Sequence, residues 1–166
     1  MIPKVVQKYL GKVGAKAEAI SHRTVYTAYD LAKTTGVKLE HVAKSILIKV
    51  EPPYGEGKAR HVIAVLPASH HLDLKKLKAA LKVKRVSIPK EGVMAKLFRM
   101  KPGAMTPFGE LHRKTPVIID RALTNAKHII ARSGSFCDSL RMPRKDFLKA
   151  TAGVLANFAK KVKMKR

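Results

Sequence analysis

Lys44 stands within HVAKSILIKV, where a short helical turn gives way to an apolar strand. An ammonium is costly to desolvate, so lysine is uncommon at the start of a buried strand. In a chain with 35 Lys and Arg, however, pattern alone favours a solvated Lys44. The second feature is KPGAMTPFGE, residues 101–110, which holds two glycines and two prolines. Gly103 can adopt backbone angles closed to other residues and lets a ligand approach the main chain. Pro107 fixes its own φ and restricts Thr106 before it. Such a loop can present a rigid row of amides to a carbonyl or phosphate, and it can equally be a tight turn before Phe108.

Other chemistry is scarce. There is no GxGxxG, Walker loop or GxSxG elbow, and no Cys/His spacing suited to zinc, so neither metal nor cofactor is expected. His70 and His71 are adjacent, diverge on any regular element, and read as surface residues. Cys137 has no evident helper and reads as a small buried side chain. The 11 Asp and Glu are too scattered to suggest a carboxylate pair.

Charge speaks to partners. The formal net charge is +24 and the pI about 10.5, a field that recruits polyanions, nucleic acid first and an anionic membrane second. No apolar run approaches the roughly 20 residues needed to span a bilayer, which disfavours a membrane role. The N-terminus is basic but lacks a continuous apolar core. With a single cysteine as well, the chain reads as a soluble, cytoplasmic protein.

These residues need elements to hold them. Ile2, Val5, Val6, Tyr9, Leu10 and Val13 recur at helical spacing between Pro3 and Gly14. Thr27 and Asp30 have capping spacing for a helix ending at Gly36. A helical turn over 39–44 leads to strand 45–50, a Pro/Gly turn over 51–60 and a returning strand 61–67, together a hairpin. Asp73 caps a helix from Leu74 to Leu81, strand 83–88 follows, and Pro89 opens a short helix through Phe98. Strands are expected at 116–120 and 128–132, then a terminal helix from Pro143. Five of the last seven residues are basic, a solvated or RNA-touching tail. The pattern predicts a single α/β domain around a mixed sheet.

The order of these motifs resembles the YbaK/prolyl-tRNA synthetase-associated family, editing domains that hydrolyse mischarged aminoacyl-tRNA. The resemblance lies in Thr27, Ala32, Gly36-Val37 and Lys44-Ser45-Ile46-Leu47, then VLPASHHLDLKKL, then Gly103-Ala104-Met105-Thr106-Pro107-Phe108-Gly109. PVIID, IIARSGS and PRKDFL complete it, so that it covers roughly 20–155 of a single domain spanning 1–166. It implies a mixed, partly barrel-like sheet flanked by helices, with the N-terminal helix and basic tail as extensions. One departure is Cys137, which stands where many members carry a second glycine after the one matching Gly134.

The resemblance, rather than the composition, favours a functional Lys44. It implies Lys44 and Gly103 as catalytic residues, the first supplying charge near the scissile ester and the second backbone amides for its oxyanion. Thr24, Tyr26, Ser45, Met105, Thr106, Pro107, Ser133 and Gly134 would bind substrate, in a pocket whose walls include Arg132. The implied activity is a free-standing deacylase of mischarged tRNA, with tRNA(Pro) carrying alanine, cysteine or serine as the expected substrate. tRNA would be the partner, held by its acceptor end on the basic surface and tail, with an aminoacyl-tRNA synthetase as a second partner. The alternative is a non-catalytic tRNA-binding or synthetase-associated module of the same fold.

Overall fold

The computed structural model describes residues 2–98 and 103–161. The chain opens with α1 (Lys4–Val13), β1 (Glu18–Ser21) and α2 (Ala28–Thr35). After a 3-10 turn at Leu39–His41 come β2 (Ala43–Tyr54), β3 (Ala59–Pro67), β4 (His70–Leu72), α3 (Leu74–Leu81) and β5 (Arg85–Ser87). Then follow α4 (Glu91–Val93), continued by a π turn to Phe98, and β6 (Val117–Asp120), β7 (His128–Arg132) and β8 (Asp138–Pro143). The last elements are α5 (Arg144–Thr151), β9 (Val154–Ala156) and β10 (Ala159–Lys161).

Local chemistry sets the helix ends. Gly14 and Gly36 close α1 and α2 in the left-handed conformation. Thr27 Oγ1 accepts from the Asp30 amide at 3.0 Å, and Asp73 Oδ1 accepts from the amides of Lys75 and Lys76 at 3.0 and 3.1 Å. Pro143 precedes α5, as its fixed φ and missing amide favour.

A five-stranded mixed sheet, ordered β5-β2-β3-β6-β9, carries the architecture. β2 and β3 form the antiparallel hairpin, whereas β3–β6 and β6–β9 are parallel. The apolar run of β3 is explained by burial on both faces. Ile63 and Val65 enter a core with Val6 and Leu10 of α1, Phe108, and Phe147 of α5. Val62, Ala64 and Leu66 enter a second core with Leu77 and Leu81 of α3 and with Phe158. A three-stranded antiparallel sheet, β1-β8-β7, adjoins through the bridge between Val42 and Ile130. There α2 packs a third core of Val25, Leu31, Ala32, Val42 and Ile130.

The expected α/β domain with a mixed sheet and flanking helices is what the chain forms. The hairpin differs in extent: β2 runs on to Tyr54 with its register shifting after Lys49, so the turn narrows to the residues around Gly55. Sequence did not predict β1, β4, β8, β9 or β10. β1, β4, β9 and β10 are short strands with distant partners, β1 for instance pairing with β8, whereas β8 is six residues long and also pairs with its neighbour β7. Lys160 and Lys161 of the basic tail form β10 against β4, and the rest of the tail, 162–166, lies outside the described residues. No helix among the described residues is long and apolar enough to cross a membrane.

Candidate active site

Lys44 is the second residue of β2, opposite Leu66 in the hairpin. It lines a cleft of about 470 Å3 with Thr27 and Tyr29 from the start of α2, Glu40, Ser69 and His71, a size usual for small-ligand sites. Lys161 of β10 lines the cleft too, so the two-stranded β4–β10 pairing brings a further cation to its rim. The Lys44 side chain is half-buried, and among the described residues no carboxylate lies within ion-pair distance of it. Burial holds its pKa below the ordinary lysine value. Ser45 follows, half-buried and opposite Val65.

The glycine–proline loop is held from three directions. Gly103 has φ +84, and a Cβ there would collide with the carbonyl of Tyr26. Ala104, Met105, Thr106, Pro107 and Phe108 are buried, and Met105 and Phe108 belong to the main core. Behind the loop, His112 is buried with Nε2 2.8 Å from Thr106 Oγ1 and 3.1 Å from the Thr106 carbonyl. Because a carbonyl only accepts, Nε2 carries the proton. Burial lowers the His112 pKa, partly offset by the Thr106 backbone bond, which favours the neutral ring. Its Nδ1 is buried and without a partner among the described residues. Lys101 and Pro102 of the loop lie outside the described residues.

Residues 25–27 form the link between loop and cleft. Arg132, only 5% exposed, donates from Nη2 to the Val25 carbonyl at 2.8 Å. Its guanidinium sits 5.9 Å from the centre of the Phe136 ring, and that ring packs on Tyr26 at 4.9 Å. The Val25 amide in turn donates to the Phe136 carbonyl at 2.9 Å. Tyr26 therefore touches Gly103 with its carbonyl and Phe136 with its ring, while Thr27, next in the chain, lines the Lys44 cleft. Arg132 Nη1 is buried without a partner among the described residues, and burial lowers the pKa of the group.

The predicted residues thus fall into two sets. Lys44 lies on the cleft. Gly103 and Tyr26 touch across the loop, and Gly134, with φ +96, faces Thr106. Residues 103–107 do not line the Lys44 cleft. Thr24 is exposed beside Val25. Ser133 is fully buried and donates from Oγ to the Asp138 carbonyl at 2.7 Å, holding the turn between β7 and β8. Cys137 is a correction: it is exposed, because the turn from Gly134 carries it past the last core position of β7. His71 is exposed as expected but belongs to the cleft, and His70 is half-buried against Ser69 Oγ at 2.8 Å. Sequence reasoning missed His112 and Tyr29. Neither carries a spacing signal: His112 folds back on Thr106 six positions before it, and Tyr29 follows the cap Thr27 into the cleft.

A mixed sheet covered by helices, with a half-buried lysine in a cleft near a glycine–proline loop, defines a class that sequence comparison identifies. A family model described as the aminoacyl-tRNA editing domain matches residues 22–150. The chain belongs to that family. Among its relatives is the multifunctional Ser/Thr-tRNA deacylase ProXp-y of Escherichia coli, 27% identical over 150 residues, covering 90% of this chain and 87% of the relative. The prolyl-tRNA editing protein ProX of Acetoanaerobium sticklandii is 26% identical over 108 residues, covering 63% and 62%. In fold, the chain is similar to a solved structure of a candidate trans-editing enzyme for prolyl-tRNA synthetase, with TM-score 0.80, 19% identity and 96% of both chains covered.

Proposed function

We propose that this protein is a free-standing aminoacyl-tRNA deacylase of the cytoplasm that hydrolyses the ester of mischarged tRNA. One observation carries the reading beyond family membership: Lys44, half-buried and without a carboxylate partner among the described residues, lines a cleft whose rim at Thr27 continues directly from the Tyr26 carbonyl packed on Gly103. A cation left uncompensated at a cleft is available to a ligand's negative charge.

In the proposed reaction, water adds to the ester carbonyl, the C–O bond to the ribose breaks, and the ribose oxygen leaves with a proton. Lys44 supplies positive charge near the ester or its neighbouring phosphate. Backbone amides near Gly103 orient the carbonyl and its developing oxyanion; one such donor is worth on the order of 3 kcal/mol of transition-state stabilisation. Met105, Thr106, Pro107 and Ser133 are buried, so their part would be to shape the wall, while Thr24, Tyr26, Ser45 and Gly134 would meet the substrate more directly. A walled cavity rejects the larger correct amino acid by bulk, the logic of a second sieve.

The test is a panel: tRNA(Pro) charged with alanine, cysteine or serine, and tRNAs mischarged with serine or threonine, the last two prompted by the name of the E. coli relative. Loss of the acyl group above the spontaneous rate is expected for at least one. Salt-sensitive tRNA binding with no turnover on any of them would overturn the enzyme reading in favour of the non-catalytic module. Co-purification with an aminoacyl-tRNA synthetase would decide whether the protein works alone.

A further inference from the structure

A second cleft, of about 400 Å3, lies along β2 and β5 and takes Lys49, Glu51, Lys78, Lys84, Arg85 and Ser87 among its lining. Glu51 is its one acidic residue and is already paired with Lys49 at 3.5 Å. Among the described residues, no carboxylate lies within ion-pair distance of Lys78, Lys84 or Arg85. Three exposed cations therefore converge on one groove against a single carboxylate, Glu51, which stands opposite Arg85 in the β2–β5 ladder and is ion-paired with Lys49. Like charges gathered this way repel one another, so the arrangement favours an anionic occupant.

The surroundings extend the groove into a track. On α3, Lys75, Lys78 and the capping Lys82 are three and four residues apart and exposed, on one stripe beside the buried Leu77 and Leu81. At about 1.5 Å of rise per residue they span roughly 10 Å, against one phosphate per about 3.4 Å along each strand of a duplex. Lys82 has φ 55, a conformation in which glycine is the favoured residue. Its lysine keeps a charge on the track at a conformational cost of about 1 kcal/mol.

Position decides between a lone phosphate and a polymer. Lys44 and Lys49 share β2, five residues apart and on opposite faces of the sheet, so the groove begins about 17 Å along the strand from Lys44 and is reached around the sheet edge. A tRNA whose terminal ester lies at Lys44 carries its paired stem a few nucleotides away. Because β5 is the edge strand of its sheet, the groove is reached from an open side.

We propose that the β5–α3 groove is the surface that binds the phosphate backbone of the tRNA stem, through Lys78, Lys84 and Arg85 with Lys75 and Lys82 beside them. The proposal rests on the reading of this chain as a protein that acts on tRNA. It does not rest on catalysis, so it is tested with uncharged tRNA.

Binding of a tRNA(Pro) transcript is measured across a salt series for the wild type and for a triple variant, Lys78→Ala, Lys84→Ala and Arg85→Ala. A control triple variant, Lys8→Ala, Lys12→Ala and Lys145→Ala, removes equal charge from exposed positions on α1 and α5. The groove variant should bind at least about tenfold more weakly, with its salt slope reduced by about 2 to 3, near one for each phosphate no longer neutralised. The control should change far less. An unchanged affinity and slope in the groove variant would overturn the proposal, as would an equal loss in both variants, which would mean diffuse attraction. Amine-reactive labelling of the wild-type protein is independent of any variant's folding. Bound tRNA should shield Lys78 and Lys84, and unaltered labelling would count against the site. If the groove binds tRNA while no mischarged tRNA is deacylated, the enzyme reading fails and the groove stands.

Discussion

Arg132 Nη2 donates to the carbonyl of Val25 across 2.8 Å, tying β7 to the segment that enters α2. The same segment touches Gly103 through Tyr26 and lines the Lys44 cleft through Thr27. One buried guanidinium thus positions both halves of the candidate site. A buried guanidinium carries a desolvation cost that an apolar side chain of similar length removes, which offsets the cost of about 1–3 kcal/mol for stranding the Val25 carbonyl. Arg132→Met should therefore change the melting temperature little yet slow deacylation by on the order of tenfold or more through misplacement of the segment. Single-turnover rates set beside thermal melts check this; full activity in the variant would remove Arg132 from any positioning role.

Lys44 makes a pH prediction. Only its protonated form carries charge, and burial alone lowers its pKa from the ordinary 10.5. Deacylation, corrected for spontaneous ester hydrolysis, should fall with rising pH from below the usual lysine range. Lys44→Arg, which stays protonated, should move that limb upward. Lys44→Ala should lose on the order of a hundredfold in rate at neutral pH and lose the limb altogether. A Lys44→Ala variant as fast as the wild type would take Lys44 out of the mechanism.

Gly103 and Gly109 are glycines for different reasons. Gly103 combines a positive φ with contact to the Tyr26 carbonyl, at the exposed end of the loop. At Gly109, which is buried, a Cβ would collide with the Thr115 carbonyl. Gly109→Ala should thus act mainly on stability, by about 2 kcal/mol or more since backbone must shift. Gly103→Ala, strained by its positive φ and the Tyr26 carbonyl, should also lose stability and in addition slow the reaction. Denaturant melts and deacylation rates, measured on both variants under conditions where both are folded, should show a rate loss for Gly103→Ala and little for Gly109→Ala.

Asp120 is buried, and its two oxygens accept three amides. Oδ1 takes those of Phe158 at 2.7 Å and Ala159 at 2.9 Å, and Oδ2 takes that of Ala122 at 2.9 Å. It anchors the approach to β10, which carries Lys161 to the Lys44 cleft. Asp120→Ala strands buried donors and should destabilise the fold by on the order of 3 kcal/mol. Hydrogen exchange at Phe158 and Ala159 should quicken in the variant beyond what global destabilisation explains; uniform acceleration would argue against a local anchor.

Much of the frame was legible in the order of residues. Caps at Thr27 and Asp73, glycines at 14 and 36, and the apolar runs of β2 and β3 are local signals whose physics is complete within a few residues. The motif order around Lys44 and Gly103 pointed to an editing domain before any tertiary packing was known. The missing strands had no such signal. β1, β4, β9 and β10 have only three or four residues each, and pairing with distant strands is what makes them strands.

By itself, then, the sequence determined the helix caps, the central hairpin, the polyanion-seeking charge and the family to which the chain belongs. Only the tertiary structure decided that Lys44 opens onto α2 and β4, that Tyr26 packs on Gly103, and that Arg132 and His112 stand behind them. Capping and periodicity act between neighbours in the chain. Burial, desolvation and close approach depend on groups far apart in it, as Arg132 and Val25 are, 107 positions from one another.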